Sequence, residues 1–312
     1  MTKSEIALTV SMRAPVLGKL AVWVCVGVGR LLSRYSISDH WLVVKIAATL
    51  GYRMPIWTKL GNGLKIRVAW NDMIGRSICE RGYYEPETVR LIEQVVDEGS
   101  VFFDVGAHVG QYTLVASRCV GTRGRVHSFE PDPHTFAWLA DNVRANQLTN
   151  VTTNQSAVAA DREPKTLYFS TVDDIGSNSL ALQNARQRTG RSDLVDCTTL
   201  DAYVTDKRIP RVDMIKADVE GAELSMLLGA RAILEGPRPP MLVLEFEEER
   251  QVAFGSSCGR LAEELRRYGY ELWRIGQVLE PYRPRPDDPW SLNILAVHPS
   301  RRDIFKRLQV VP

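Results

Sequence analysis

The sequence has little that would staple, anchor or strongly charge a protein. Its five cysteines, Cys25, Cys79, Cys119, Cys197 and Cys258, are odd in number, scattered, and nowhere spaced as Cys-x-x-Cys. That excludes a zinc site legible from sequence, argues against a disulfide framework, and predicts reduced, mostly buried thiols. Charge of neither sign dominates: 39 Lys and Arg against 37 Asp and Glu leave a net charge of +2. Such a balance gives no reason to expect nucleic acid as a partner. The apolar run Leu20–Gly29 is closed by Lys19 and Arg30, well short of the roughly 20 residues a spanning helix needs. The run is followed by no small-residue cleavage site, so a signal peptide is not expected either. Internal repeats and low-complexity tracts are missing as well. With 45% hydrophobic and 24% charged residues over 312 positions, what remains is an ordinary globular chain with room for one large domain and an extension. The cytoplasm is the default compartment.

Two readings of residues 14–35 stay open. One is a helix buried in the protein or covered by a partner. The other is a peripheral anchor lying on a membrane surface, helped by the basic residues Arg13, Lys19, Arg30 and Arg34. Ser38-Asp39 is placed to cap a following helix that ends at Gly51. Residues 1–55 are therefore expected to form an apolar, helical extension, and residues 56–312 the main domain. The alternating segments Ile56–Leu60 and Leu64–Val68 flank Gly61-Asn62-Gly63 and predict a hairpin.

The main domain is organised around Val101–Thr113, VFFDVGAHVGQYT. A brief apolar run reads as a strand buried on both faces. Gly106 and Gly110 then bracket a turn where backbone can approach a ligand closely, and a helix N-terminus follows. The pattern repeats. Strands are expected at 124–129, 151–160, 212–217 and 241–246, with helices at 134–146, 223–234 and 261–268 between or after them. Residues 166–169 predict an antiparallel ribbon strand, followed by a polar loop at 173–193. Closing strands are expected at 270–275 and 292–298, separated by a proline-rich loop, Pro281–Pro289. Strands alternating with helices predict an α/β fold with a doubly wound sheet and a ligand crevice beyond the strand C-termini.

Three acids fall where that crevice should lie: Asp104, Glu130 and Asp218. A carboxylate ending the second strand can accept two hydrogen bonds from a ribose diol. A strand-end acid can also simply cap the next helix. Three of them in register with a glycine loop favour a nucleoside-containing ligand. A nicotinamide dehydrogenase is the rival on the same fold, but its fingerprint is Gly-x-Gly-x-x-Gly, whereas here the glycines are spaced Gly-x-x-x-Gly with Asp104 ahead of them. A module that kept the fold and lost the reaction is a further alternative.

The runs DVGAHVGQYT, FEPDP, TLDAY (Thr199–Tyr203) and IKADVEGAE, with LLGA after it, resemble the FkbM-type family of S-adenosylmethionine-dependent methyltransferases. The resemblance covers roughly residues 76–298. It implies a class I, Rossmann-like sheet of seven strands with an antiparallel C-terminal edge, and methylation of a hydroxyl on a sugar, glycan or secondary metabolite. It implies that S-adenosylmethionine lies against Asp104, Gly106, Ala107, Gly110, Tyr112, Thr113, Glu130, Pro131 and Ala157. The family usually has Asn where this chain has His108. Removing the acceptor's proton would aid transfer, and Asp218, Glu220 and His108 are the candidates to do it. Glu245, ending the fifth strand, has two open readings: it orients the acceptor, or it simply faces solvent. No His/Asp/Glu spacing announces a metal site.

Overall fold

The computed structural model describes residues 55–69, 72–170, 178–184, 190–285, 288 and 291–310. The readings made for residues 14–35 and for the helix capped at Ser38-Asp39 lie outside these. The described residues through Tyr84 and those from Glu85 onward belong to two compact units.

In the first unit, β1 (Pro55–Lys59) and β2 (Lys65–Ala69) pair antiparallel. Asn62 closes their turn by accepting the Leu64 amide at 3.1 Å. Helix α1 (Met73–Arg81) follows, capped by Asp72 and ended by Gly82 at φ 85°. The boundary read near residue 56 places this hairpin with the main domain, whereas by packing it groups with what precedes Glu85.

The second unit begins with α2 (Pro86–Val95), which has proline in its first turn. Then β3 (Val101–Val105), α3 (Gln111–Val120), β4 (Arg125–Phe129), α4 (Pro133–Ala145) and β5 (Val151–Asn154) alternate. The strand read over 151–160 is broken. Its second part, β6 (Ala157–Val158), leaves the main sheet to pair with β9 (Cys197–Thr198). β7 (Lys165–Tyr168) pairs antiparallel with β8 (Ser192–Val195), whose first residues fall at the end of the stretch read as a loop.

Helix α5 (Leu200–Asp206) is capped by Thr199 of the TLDAY run. After β10 (Met214–Ala217), the helix expected over 223–234 is two helices, α6 (Glu223–Leu228) and α7 (Arg231–Leu234). Gly229 separates them, and a Cβ there would overlap the Ala159 carbonyl, so the close approach requires glycine. β11 (Met241–Phe246), α8 (Glu248–Ala253), α9 (Cys258–Arg267), β12 (Glu271–Arg274), β13 (Glu280–Pro281) and β14 (Leu292–Val297) complete the order, before a 3-10 helix at Pro299–Arg307.

The central sheet runs β13-β12-β14-β11-β10-β3-β4-β5. The five strands β11-β10-β3-β4-β5 are parallel, and β14, β12 and β13 form an antiparallel edge. Eight strands replace the expected seven. The additional one, β13, is a two-residue pairing at the start of the proline-rich loop, opposite Trp273 and Arg274. Pro281 fits there because an edge strand tolerates a missing donor.

One face of the sheet is apolar. Phe103, Val105, Phe129, Ile215, Leu242 and Leu244 pack there against residues of α5, α6 and α9. The opposite face carries Asp104, which pairs in register with Ser128 on one side and Lys216 on the other. Side chains alternate along a strand, so Asp104, Ser128 and Lys216 share this second face, while His127 is packed among the aromatics of the first. Among the described residues no helix is long and apolar enough to cross a membrane.

Candidate active site

The loop after β3 is fastened to the end of β4. The amides of Gly106 and Ala107 both donate to the Phe129 carbonyl, at 3.0 and 2.9 Å. The His108 amide donates to Glu130 Oε2 at 2.9 Å, and the Asp132 amide to Glu130 Oε1 at 2.9 Å. Glu130 thus binds the two loops that would flank a nucleoside, and each of its oxygens keeps a second lone pair. Burial, then the neighbouring Asp132, pushes its carboxyl up to about 8. Its neighbour Asp132 does what strand-end acids commonly do. It caps α4, accepting the His134 amide and the Thr135 hydroxyl, and it also accepts Asn178 Nδ2 at 3.0 Å. Pro131 lies half-buried between the two acids.

Both loop glycines are required by packing inside the protein. Gly106 has φ 73°, and a Cβ on it would overlap the Asp218 carbonyl oxygen. Gly110 has φ 94°, and a Cβ on it would overlap the Leu139 side chain. His108 also takes a left-handed backbone, φ 50°, a conformation that Asn adopts more readily than most residues. Beneath the loop, Asp104 is fully buried and accepts the Thr113 hydroxyl at 2.6 Å, which also meets Ser128 Oγ at 2.6 Å. These contacts hold the start of α3 to the sheet. Asp104 Oδ1 makes no hydrogen bond.

Lys216 lies at the centre of the polar face. Only 2% exposed, it reaches Asp218 Oδ2 at 3.3 Å and lies 4.7 Å from the centre of the Tyr112 ring. The Tyr112 hydroxyl donates to Glu85 Oε2 at 2.6 Å. Burial would strip the Lys216 proton, but Asp218, Asp104 and Glu85 together hold the ammonium above its ordinary range. Burial would likewise protonate Asp218. Lys216 and a hydrogen bond with Glu245 outweigh it and hold Asp218 low. Glu245 accepts the Ser291 hydroxyl at 2.8 Å and is pushed well up by burial and by Asp218.

Glu220 stands apart from this group. It has φ 58° and pairs with Arg250, whose Nε donates to Glu247 at 2.7 Å. Its carbonyl accepts Ser179 Oγ at 3.1 Å and Asn184 Nδ2 at 2.8 Å. The segment 178–184 is thereby tied at Asn178 to the loop after β4 and at Asn184 to the turn after β10. Glu223, rather than Asp218, receives the free amide of that turn, accepting Val219 N–H at 2.9 Å.

Of the residues singled out from sequence, Asp104, Tyr112 and Asp218 meet around Lys216, Thr113 is turned to Asp104 and Ser128, and Gly106, Ala107, Gly110, His108 and Glu130 form the fastened loop. Ala157 is buried in β6, where its amide donates to the Asp196 carbonyl at 2.8 Å. Sequence reasoning passed over Lys216, Glu85 and Arg250. Lys216 had a signal: it is the charged residue inside the otherwise apolar run Met214–Ala217. Glu85 and Arg250 had none, since their place depends on how distant elements pack.

Five parallel strands, an antiparallel edge, and an acid-glycine loop beside a second strand ending in Glu130 define a class I, Rossmann-like methyltransferase. The chain belongs to the methyltransferase FkbM domain family, which matches residues 104–272, more than half its length. It is 26% identical over 205 residues to the hexuronic acid methyltransferase AglP of Haloferax volcanii, covering 62% of this chain and 75% of that one. It is 27% identical over 219 residues to the AMB antimetabolite synthetase AmbE of Pseudomonas aeruginosa, covering 57% of this chain and 10% of that one. Among solved structures, the methyltransferase FkbM of Methylobacillus flagellatus aligns at 17% identity and a TM-score of 0.42. That alignment covers 72% of this chain and 52% of the other, so it spans about half the solved chain.

Proposed function

We propose that this protein is an S-adenosylmethionine-dependent O-methyltransferase acting on a hydroxyl of a sugar, glycan or secondary metabolite. The observation that carries the reading is the pairing of two strand-end carboxyls with different surroundings. Glu130 is clipped to the glycine loop, and Asp218 is held charged beside Lys216. The residues fit the donor. Glu130 keeps one lone pair on each oxygen for a ribose diol, and the loops it joins are those on either side of a nucleoside site. The loop residues Gly106, Ala107 and Gly110, with Pro131, would form its walls, while Asp104 and Thr113 support them from beneath. When bound, S-adenosylmethionine supplies an activated methyl group on a cationic sulfur.

What the chain then contributes is alignment and proton removal. Asp218, ionised and at a strand end, takes the proton of the acceptor hydroxyl. Glu245, protonated, donates a hydrogen bond to Asp218 and orients it. Glu220 is already engaged by Arg250 and shapes the turn. His108 lies on the fastened loop, its amide bonded to Glu130. The likeness to a hexuronic acid methyltransferase supports a saccharide acceptor. The small net charge supports a small-molecule or glycan partner over nucleic acid.

Calorimetric titration with S-adenosylmethionine, S-adenosylhomocysteine and a nicotinamide dinucleotide tests the donor. The first two should bind and the third should not. Mass spectrometry of glycans and metabolites incubated with labelled donor tests the acceptor. Tight nicotinamide binding with no response to the methyl donor would overturn the reading.

A further inference from the structure

Three carboxyl groups, Asp218, Asp104 and Glu85, surround one ammonium group on the polar face of the sheet, and a fourth, Glu245, shares a hydrogen bond with Asp218. Asp104 is the register partner of Lys216 on β3. Asp218 follows Lys216 by two residues, and Glu245 follows its β11 partner Val243 by two, so the period of the strands aims all of them to one face. Glu85, brought in just ahead of α2, completes the ring through Tyr112. We propose that Lys216 is a positioning residue: its ammonium decides which of two facing carboxyls, Asp218 or Glu245, carries the charge at the transfer site. The inference rests on the methyltransferase reading above and adds to it the residue that sets the proton inventory.

Asp218 and Glu245 are half-buried and share a hydrogen bond, an arrangement that holds one proton between the two carboxyls. The proton stays on whichever lies further from compensating charge. Lys216 Nζ is 3.3 Å from Asp218 Oδ2, whereas Glu245 receives only the neutral Ser291 hydroxyl among its hydrogen-bond donors. The other charged groups near the pair do not reverse this. Arg250 is shared between Glu220 and Glu247. Glu223 is committed to the Val219 amide and to Gln251 Nε2 at 2.6 Å. Glu85 is held by the Tyr112 hydroxyl, and Asp104 by Thr113. The ammonium also lies 4.7 Å from the centre of the Tyr112 ring, which is itself tethered at its hydroxyl. Asp218 is therefore the acceptor of a proton, and Glu245 a donor of a hydrogen bond, before any substrate arrives.

The test needs no acceptor. Protein labelled with carbon-13 at aspartate and glutamate side-chain carboxyls is titrated by NMR, with Asp218→Asn and Glu245→Gln identifying the two signals. In the wild type Asp218 should titrate below Glu245. In Lys216→Met the Asp218 midpoint should rise by about 1–3 pH units, the range for losing an opposite charge at this distance, and Lys216→Arg should restore it. S-adenosylhomocysteine affinity, read by calorimetry, should change little in Lys216→Met, which a purely structural role would not allow. An unshifted Asp218 in folded Lys216→Met, or wild-type Glu245 titrating below Asp218, overturns the proposal. The second outcome decides even where Lys216→Met does not fold. Failure of the wild type to bind S-adenosylhomocysteine would sink the donor reading instead, leaving the titration result standing.

Discussion

The carbonyl oxygen of Asp218 occupies the space where Gly106 would carry a side chain. The first and fourth strand ends of the site therefore meet backbone to backbone, and the glycine is fixed by this contact as well as by its φ of 73°. Gly106→Ala should cost about 1–2 kcal/mol for the left-handed backbone alone, and more for displacing Asp218. We expect a lowered melting temperature together with weakened cofactor binding in calorimetry. A variant with wild-type melting and affinity would mean that the two strand ends can separate without consequence.

Binding of the methyl donor should release a proton near neutral pH. In the unliganded protein burial holds Glu130 up to about 8, so most molecules carry it protonated at pH 7. A ribose diol donates hydrogen bonds and favours the ionised form, so binding lowers this pKa. Affinity should rise with pH up to roughly 8 and then level, because above that the carboxyl is already ionised. Calorimetry in two buffers of different ionisation enthalpy reads the release directly, and Glu130→Gln should abolish it. Glu130→Ala should weaken binding by about 1.5–3 kcal/mol, the worth of hydrogen bonds to a charged group. Equal heats in both buffers, or an unchanged affinity in the variant, would place the ribose elsewhere.

Much of this fold is legible in the sequence because its signals are local. Val101–Val105 and Met241–Phe246 are short apolar runs bounded by turn residues, and Pro86 marks the start of α2 by its fixed φ. The departures have non-local causes. The glycine that separates α6 from α7 lies against the Ala159 carbonyl, a contact between segments distant in sequence. β13 exists only because Trp273 and Arg274 are there to pair with it. The same holds in the candidate site. Asp218 and Glu130 stand at strand ends that periodicity can find, but the Lys216–Asp218–Glu245 arrangement depends on strand register, which one sequence does not specify. Residues such as Thr113 illustrate the limit. The motif places it at the site, and the structure shows it turned inward to Asp104 and Ser128.

Mild acid should destabilise the protein through His127. Its ring is packed among Phe103 and Tyr203, with Nδ1 2.9 Å from the Tyr203 hydroxyl. Burial, then Arg125 and Lys207, pushes it down to about 4 from 6.5. Between those values the unfolded chain binds a proton that the folded one refuses, so stability falls as pH drops through this window. Because Glu130, held up to about 8, acts in the opposite sense over this range, the His127 contribution is read as the difference between wild type and His127→Gln. In chemical denaturation at pH 7 and pH 5 the wild type should lose more, or gain less, on acidification. An equal slope in both proteins would assign the acid sensitivity to other groups.

Asp218 should matter more to turnover than to donor affinity. The competing account of a strand-end acid is that it caps the following helix, where Asn would serve nearly as well. The structure removes that account for this residue. Ala222 precedes α6 without a side-chain cap, and the Val219 amide is taken by Glu223. Asp218 instead faces Lys216 and Glu245, contacts that make sense for a charge to be kept. Asp218→Asn preserves shape and one hydrogen-bonding oxygen while deleting the charge. If Asp218 takes the acceptor's proton, the rate should fall by about 10²–10⁴, the usual range for a lost general base, while S-adenosylhomocysteine binds as before. Because donor affinity and turnover are read separately, loss of both would instead indicate that the Gly106 contact had been disturbed. Wild-type turnover on the true acceptor would move the role to His108 or Glu220. Glu220 would then have to leave Arg250, which Arg250→Ala should make easier and so raise the rate.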